Sequence, residues 1–163
     1  MAARTAAGKA AALDELQALL ASFDGCGLKA TAKNLCFYRG APKARLMLIG
    51  EAPGRDEDIE GKPFVGRAGQ LLDKMLSAIQ LGEQDVHITN IVYWRPPGNR
   101  TPTPQEAQVC RPFLERQVEL VTPERFLTVP MPGYSSIRLA LAPRVDVRKM
   151  LDAFGPDIVH IST

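Results

Sequence analysis

RLMLIGEAPG, residues 45–54, is the stretch whose reading decides the fold. Residues 45–49 (RLMLI) are a short apolar run that stops at Gly50-Glu51-Ala52-Pro53-Gly54. A run of that length closed by glycine and proline reads as a buried strand opening into a tight turn. In α/β proteins ligand sites collect in the loops beyond strand ends, so the segment also marks where chemistry is to be sought.

Working outward, residues 9–22 (KAAALDELQALLAS) place Leu13, Leu16, Leu19 and Leu20 at helical spacing, which predicts an amphipathic helix. Residues 23–33 are mixed, with Gly25 and Gly27 as breakers. On the other side, residues 55–66 carry many charges and glycines and read as a loop. Residues 69–79 (GQLLDKMLSAI) are helical by period, residues 86–92 (VHITNIV) are strand-like, and residues 94–100 (WRPPGNR) form a rigid polar loop. Thr103-Pro104-Gln105-Glu106 opens another helix, with Thr103 as N-cap, Pro104 in the first turn and Glu106 completing a capping box; it runs to about Leu120. A strand is expected at residues 125–129, a helix at 147–154 and a last strand at 157–161. Strands alternating with helices indicate an α/β fold, a three-layer α/β/α domain with a mainly parallel central sheet, incomplete at the C-terminus.

At 163 residues the chain can bury the core of one domain. A formal net charge of +2 does not by itself demand a nucleic-acid partner. The apolar runs are far too short to span a bilayer. The Ala-rich first twelve residues, with Arg4 and Lys9, lack the continuous apolar stretch of a secretory signal. A cytoplasmic monomer with no membrane partner is expected. Three cysteines, Cys26, Cys36 and Cys110, make no even disulfide framework, in keeping with a reducing compartment.

Four segments stand in series: IGEAPG (49–54), GKPFVGRAGQLLD (61–73), ITNIVYWRPPGNRTP (88–102) and EAQVCRPFLERQ (106–117). Their order and spacing resemble the family 4 uracil-DNA glycosylases over about residues 10–122. A Gly/Pro turn after a strand is weak evidence alone; four long segments together are specific. The resemblance implies a base-excision repair enzyme acting on uracil-containing DNA, with a glycosylase-like domain over residues 1–122 and a divergent tail, 123–163, packed on the same domain.

Such an enzyme extrudes the target nucleotide and buries its base in a pocket. Phe64 would supply the stacking face; standing alone it reads as a core phenylalanine under a loop. The Asn90 amide could accept from uracil N3–H and donate to O4, a pattern that cytosine reverses; standing alone, Asn90 reads as a turn former. Glu51 could orient the attacking water and stabilise positive charge developing on the sugar, against a solvated turn carboxylate as the plain alternative. Gly50 and Gly54 would let backbone N–H groups approach uracil or phosphate. Arg95 and Arg100, held by the two prolines of RPPGNR, suit DNA-backbone contacts, with a generic rigid surface loop as the competing reading.

The sequence departs from the family in two places. The family's four cysteines hold a 4Fe–4S cluster. Here Cys26 and Cys110 match two of them, while Phe23 and Trp94 occupy the other two places. Two thiolates do not meet the need for four, so Cys26 and Cys110 read as remnants, with no cofactor and no metal expected. Cys36 reads as a small buried hydrophobe. The family's late His-Pro-x-x-Leu-Leu motif, which implies stabilisation of the departing uracil anion, is also missing. Residues 126–144 and 156–163 instead resemble part of a GT-B glycosyltransferase, and a fused, truncated or frameshifted reading frame would account for that. His160 reads as an ordinary strand histidine. Besides an impaired glycosylase, an inactive DNA- or uracil-binding remnant and a glycosyltransferase fragment remain as alternatives.

Overall fold

The computed structural model describes residues 2–122 and the backbone of residues 125–128. Its sheet has four strands: β1 (Arg39–Gly40), β2 (Leu46–Gly50), β3 (Val86–Asn90) and β4 (Arg125–Thr128), in the order β1-β3-β2-β4. β2 pairs in parallel with β3 and with β4, and only the two-residue β1 runs antiparallel, on the outer side of β3. The expected mainly parallel sheet is therefore present, and residues 125–128 do supply a strand beside β2.

Side chains alternate across a strand, so the apolar run of β2 feeds two cores. Met47 and Ile49 face a cluster containing Leu16, Leu20, Phe113, Leu114 and Val118. Leu48 faces the other way, with Val86, Ile88, Leu72 and Leu76. The first cluster gathers α1 (Ala2–Ala7), α2 (Leu13–Ser22) and α5 (Pro104–Val121); the second is covered by α4 (Arg67–Ala78). These are the three layers. A strand covered on both faces reads as a continuous apolar run, which is why β2 does. No helix among the described residues is long and apolar enough to cross a membrane.

Local chemistry sets the helix ends. Thr103 Oγ1 accepts the Glu106 N–H at 3.2 Å, and the Glu106 carboxylate accepts the Thr103 N–H at 2.7 Å, closing the expected capping box of α5. Residues 55–66 differ from the loop expected of them, because Arg55–Glu60 forms a short helix, α3. Asp56, Glu57 and Asp58 crowd its first turn, where the helix dipole favours negative charge, and Gly61 ends it in the left-handed region at φ 71°. The charges that suggested a loop are the ones that suit a helix N-terminus. The helix expected at residues 9–22 begins only at Leu13, and the preceding α1 was not foreseen. Arg116 of α5 fixes that entry by donating twice to the Ala10 carbonyl, at 2.9 and 2.7 Å. The strand expected at 86–92 ends at Asn90, and the helix at 147–154, the strand at 157–161 and His160 lie outside the described residues.

A buried polar network joins β3 to α5. His87 is fully buried, with Nδ1 2.7 Å from the Ala41 carbonyl oxygen and Nε2 2.9 Å from Gln117 Nε2. The carbonyl can only accept, so Nδ1 carries the proton and Nε2 accepts from the amide. Tyr93 donates to Gln117 Oε1 at 2.8 Å, and Tyr38 stacks on the imidazole at 4.4 Å. A second ring proton would face the amide N–H, in a site stripped of water.

Burial holds the His87 pKa down to about 4 against the pull of the Ala41 carbonyl. The unfolded chain protonates this histidine near pH 6.5, so its contribution to stability is complete above that pH. It is lost as pH falls, until the native imidazole also protonates near pH 4. Between pH 7 and 5.5 folding should lose about 1 kcal/mol through this group. Urea titrations should show that loss in the parent chain and not in His87→Gln; equal slopes would remove His87 as the cause.

Candidate active site

The in-register parallel pairing of β2 and β3 puts Gly50 opposite Asn90 at the carboxyl ends of the two strands. A cavity of about 430 Å³ opens beyond them, with Glu51, Gly54, Phe64, Asn90, Asn99 and Arg100 in its wall. The structure thus brings together Glu51 and Asn90 from the strand ends and Phe64 from the turn between α3 and α4, three residues separated in sequence by up to 39 positions.

Asn90 is 1 % exposed, and among the described residues neither Nδ2 nor Oδ1 has a hydrogen-bond partner. Most buried polar atoms in proteins are paired, so an amide left unpaired at both ends beside a cavity is an unusual arrangement. Phe64 stands next to it. A Cβ added to Gly50 would overlap both the tip of the Phe64 ring and Oδ1 of Asn90. Glycine is required there because ring, amide and strand end occupy one small volume. Gly54 lies in the cavity wall, whereas Gly50, expected as a uracil-binding residue, is packed against Phe64 and Asn90 and is not among the lining residues.

Phe64 sits at φ 57°, in the left-handed region that non-glycine residues rarely adopt and that costs on the order of 1–3 kcal/mol. It persists because the surroundings fix it: the Arg39 guanidinium donates to the Pro63 and Phe64 carbonyls, both at 3.1 Å. Glu57 accepts from the N–H groups of Val65 and Gly66 at 3.0 and 2.8 Å. Arg39 and Glu57 were not among the sequence candidates. Glu57 had a signal, being three residues after the Gly54 N-cap, but nothing local marks Arg39 for burial.

Glu51 is half-buried at the cavity wall. Burial raises its carboxyl pKa above the usual value, opposed by a hydrogen bond from the Thr101 side chain. Its carboxyl therefore sits closer to the proton-exchanging range than a surface glutamate. Arg100 also lines the cavity, but its guanidinium makes a bidentate pair with Glu106 at 2.7 and 2.9 Å and donates to the Thr101 carbonyl. That pairing holds the Glu106 carboxyl down to about 2. Arg95 hydrogen-bonds Asn99 Oδ1 within the same loop. Both arginines brace the RPPGNR loop, with parts of each guanidinium left for other partners.

The cysteines separate into a pair and a single. Cys26 and Cys110 are buried with their sulfurs 3.9 Å apart, the Cys110 thiol donating to Cys26. That bond lowers the Cys26 pKa to about 7 and raises that of Cys110. Phe23 packs on Phe113 at 5.1 Å between ring centroids, and Trp94 is buried in the same core. Cys36 lies elsewhere, donating to the Glu57 carbonyl at 3.1 Å, and burial first, then Asp58 and Glu57, pushes its thiol up to about 12. No three His, Cys, Asp or Glu residues among the described ones converge as a metal site would need. A 4Fe–4S cluster takes one thiolate per iron. Sulfurs already in mutual contact, with aromatic rings at the other two places, do not fit it.

Residues 37–153 match the family model of the uracil DNA glycosylase superfamily. A type-4 uracil-DNA glycosylase of Archaeoglobus fulgidus is 47% identical over 111 residues, which cover 68% of this chain and 56% of that protein. Proteins of the same description from Saccharolobus solfataricus and Thermotoga maritima are 49% and 43% identical, over 64% and 61% of this chain and 49% and 52% of their own lengths. The chain spans about half the length of the curated relatives it matches. The family match continues past Val121, through most of the stretch for which the glycosyltransferase resemblance was drawn.

An unpaired buried amide weakens folding by about 1–3 kcal/mol. Asn90→Leu, of similar shape, should therefore leave the urea midpoint unchanged or raised. A clear fall would show that the amide has a partner within the folded chain.

Proposed function

This chain belongs to the uracil DNA glycosylase superfamily, and from that premise we propose that its strand-end pocket captures a uracil flipped out of DNA and hydrolyses the N-glycosidic bond. The observation that carries this reading is the buried Asn90 amide with both ends unpaired, beside the Phe64 ring. Uracil offers the complement: Oδ1 accepts N3–H, Nδ2 donates to O4, and the ring lies on Phe64. Cytosine, with a donor at position 4 and an acceptor at N3, leaves the same groups mismatched. Gly54 and its neighbours give backbone N–H groups close access to base or phosphate, and Arg95 and Arg100 lie on the loop nearest the DNA backbone.

As the bond breaks, negative charge gathers on uracil and positive charge on the sugar. An ionised Glu51 stabilises the sugar and orients the incoming water, leaving an abasic site and free uracil. The chemistry needs no metal. We place no iron–sulfur cluster in this chain, because Cys26 and Cys110 meet each other and Phe23 and Trp94 fill the remaining places. The uracil side has no assigned donor within the 163 residues, which contain no His-Pro-x-x-Leu-Leu motif. The protein acts as a monomer in the cytoplasm in this reading.

Five outcomes follow for the purified chain. Single-turnover assays on single- and double-stranded oligonucleotides should release uracil and not cytosine, and Asn90→Asp, which cannot donate to O4, should erode that preference. Unchanged discrimination would remove Asn90 from the reading role, and tight binding of uracil-DNA with no release would identify a binding remnant. Phe64→Ala should weaken capture by about 1–3 kcal/mol. The rate should fall as pH drops through the raised pKa of Glu51, and Glu51→Gln should be slow with that limb abolished. Attaching a family-type C-terminal half should speed release by about 10²–10³, the scale of one preorganised donor; equal rates would show that this chain has its own substitute. After anaerobic purification, iron and sulfide near four each per chain would refute the cluster-free assignment.

A further inference from the structure

We infer that Arg39 and Glu57 are positioning residues that fix the Phe64 ring and join it mechanically to the Gly50–Gly54 turn before any base arrives. The inference rests on the uracil-binding reading of the pocket and adds two residues that act through the ring, of which Glu57 also lines the cavity.

The turn between α3 and α4 is gripped from both sides of its strained residue. Arg39 donates through Nε and Nη2 to the carbonyls of Pro63 and Phe64, both at 3.1 Å, one in each peptide group that flanks Phe64. On the C-terminal side the N–H groups of Val65 and Gly66 both donate to Glu57 Oε1, at 3.0 and 2.8 Å. The peptide group before Phe64 is thus held by Arg39 and the one after it by both Arg39 and Glu57, and both charged residues are buried, at 9 % and 8 % exposure. Charge-assisted bonds are the strong class, and their fork geometry fixes orientation as well as distance.

Each charge is anchored elsewhere in the fold. Arg39 comes from the edge strand β1 and pairs with Asp73 of α4 at 2.6 Å. Glu57 uses its other oxygen to accept the Gly54 N–H at 3.1 Å. One carboxylate therefore spans the turn that presents Phe64 and the turn that carries Glu51. The helix α4 closes the arrangement from below: a Cβ on Gly69 would overlap the Phe64 carbonyl, so the backbone of the ring-bearing residue rests directly on the helix. Pro63 and Gly66 are themselves buried, and Phe64 packs with Leu48, Leu72 and Leu76, so the set supports packing as well as placing the ring. The set holds one ring in one place, at the cost of burying two charges. Fixing a stacking surface beforehand spares the bound state that ordering, and a displaced ring would misplace the base relative to Glu51.

A general structural role and a positioning role predict different couplings. The full-length chain is tested as parent, Glu57→Gln, Arg39→Lys, Phe64→Ala, and each of the first two combined with Phe64→Ala. Binding of free uracil is followed by NMR titration, binding and single-turnover release are measured with a uracil-containing oligonucleotide, and urea midpoints are recorded alongside. Glu57→Gln and Arg39→Lys should weaken uracil capture by about 10- to 100-fold. In the Phe64→Ala background that loss should disappear, because the ring they position is gone, while their effects on the urea midpoint remain. Losses in uracil binding that stay additive with Phe64→Ala would overturn the inference and leave a structural role. The milder Arg39→Lys keeps the test in force if Glu57→Gln does not fold. If Phe64→Ala itself leaves uracil binding unchanged, or the parent binds no uracil, it is the pocket reading that fails, and the inference falls with it.

Discussion

The pairing of β2 with β3 is the constraint on which everything else in this molecule depends. Two parallel strands held from Leu46↔Val86 to Gly50↔Asn90 end level with each other, so their loops leave the sheet side by side. A slip of one residue would turn every side chain to the opposite face. It would take Leu48 out of the core with Leu72 and Leu76, and Asn90 away from Phe64. The register is therefore fixed by apolar burial on both faces, and the site inherits its geometry from that burial.

The pocket is built from groups that folding alone would not select. An amide with two orphaned ends, a phenylalanine in the left-handed region and two buried charges each oppose stability. They are found together: the two charges hydrogen-bond the peptide groups of the strained turn, and the turn holds the ring beside the amide. Such concentrations of strain and unsatisfied polarity mark sites shaped for a ligand. The rest of the domain, with its two cores and the His87–Gln117–Tyr93 network, has its polar groups paired and carries that load.

The corner formed by Cys26, Cys110, Phe23 and Trp94 places aromatic mass and a thiol–thiol hydrogen bond in the core between α2 and α5. Aromatic side chains bury large areas and act as spacers between elements. The Phe23–Phe113 contact gives the N-terminal segment an attachment to α5 that needs no ligand.

Much of this was legible in the chain itself. The apolar run ending in GEAPG and the capping box at Thr103 set the parallel α/β architecture, because strand period, cap chemistry and turn residues are local properties; Glu51, Phe64 and Asn90 stood out through the family resemblance that the four motif segments carry. The loop expected at 55–66 was a helix for an equally local reason, since acidic residues after Gly54 suit a helix N-terminus as well as they suit solvent. What only the tertiary structure decided is pairwise. That Asn90 lacks a partner among the described residues, that Arg100 spends its fork on Glu106, and that Arg39 crosses from β1 to hold a turn 24 residues away all depend on which atoms meet after folding. A sequence specifies which groups can donate, accept or carry charge; burial decides which of them must find a partner, and the fold decides which one they find.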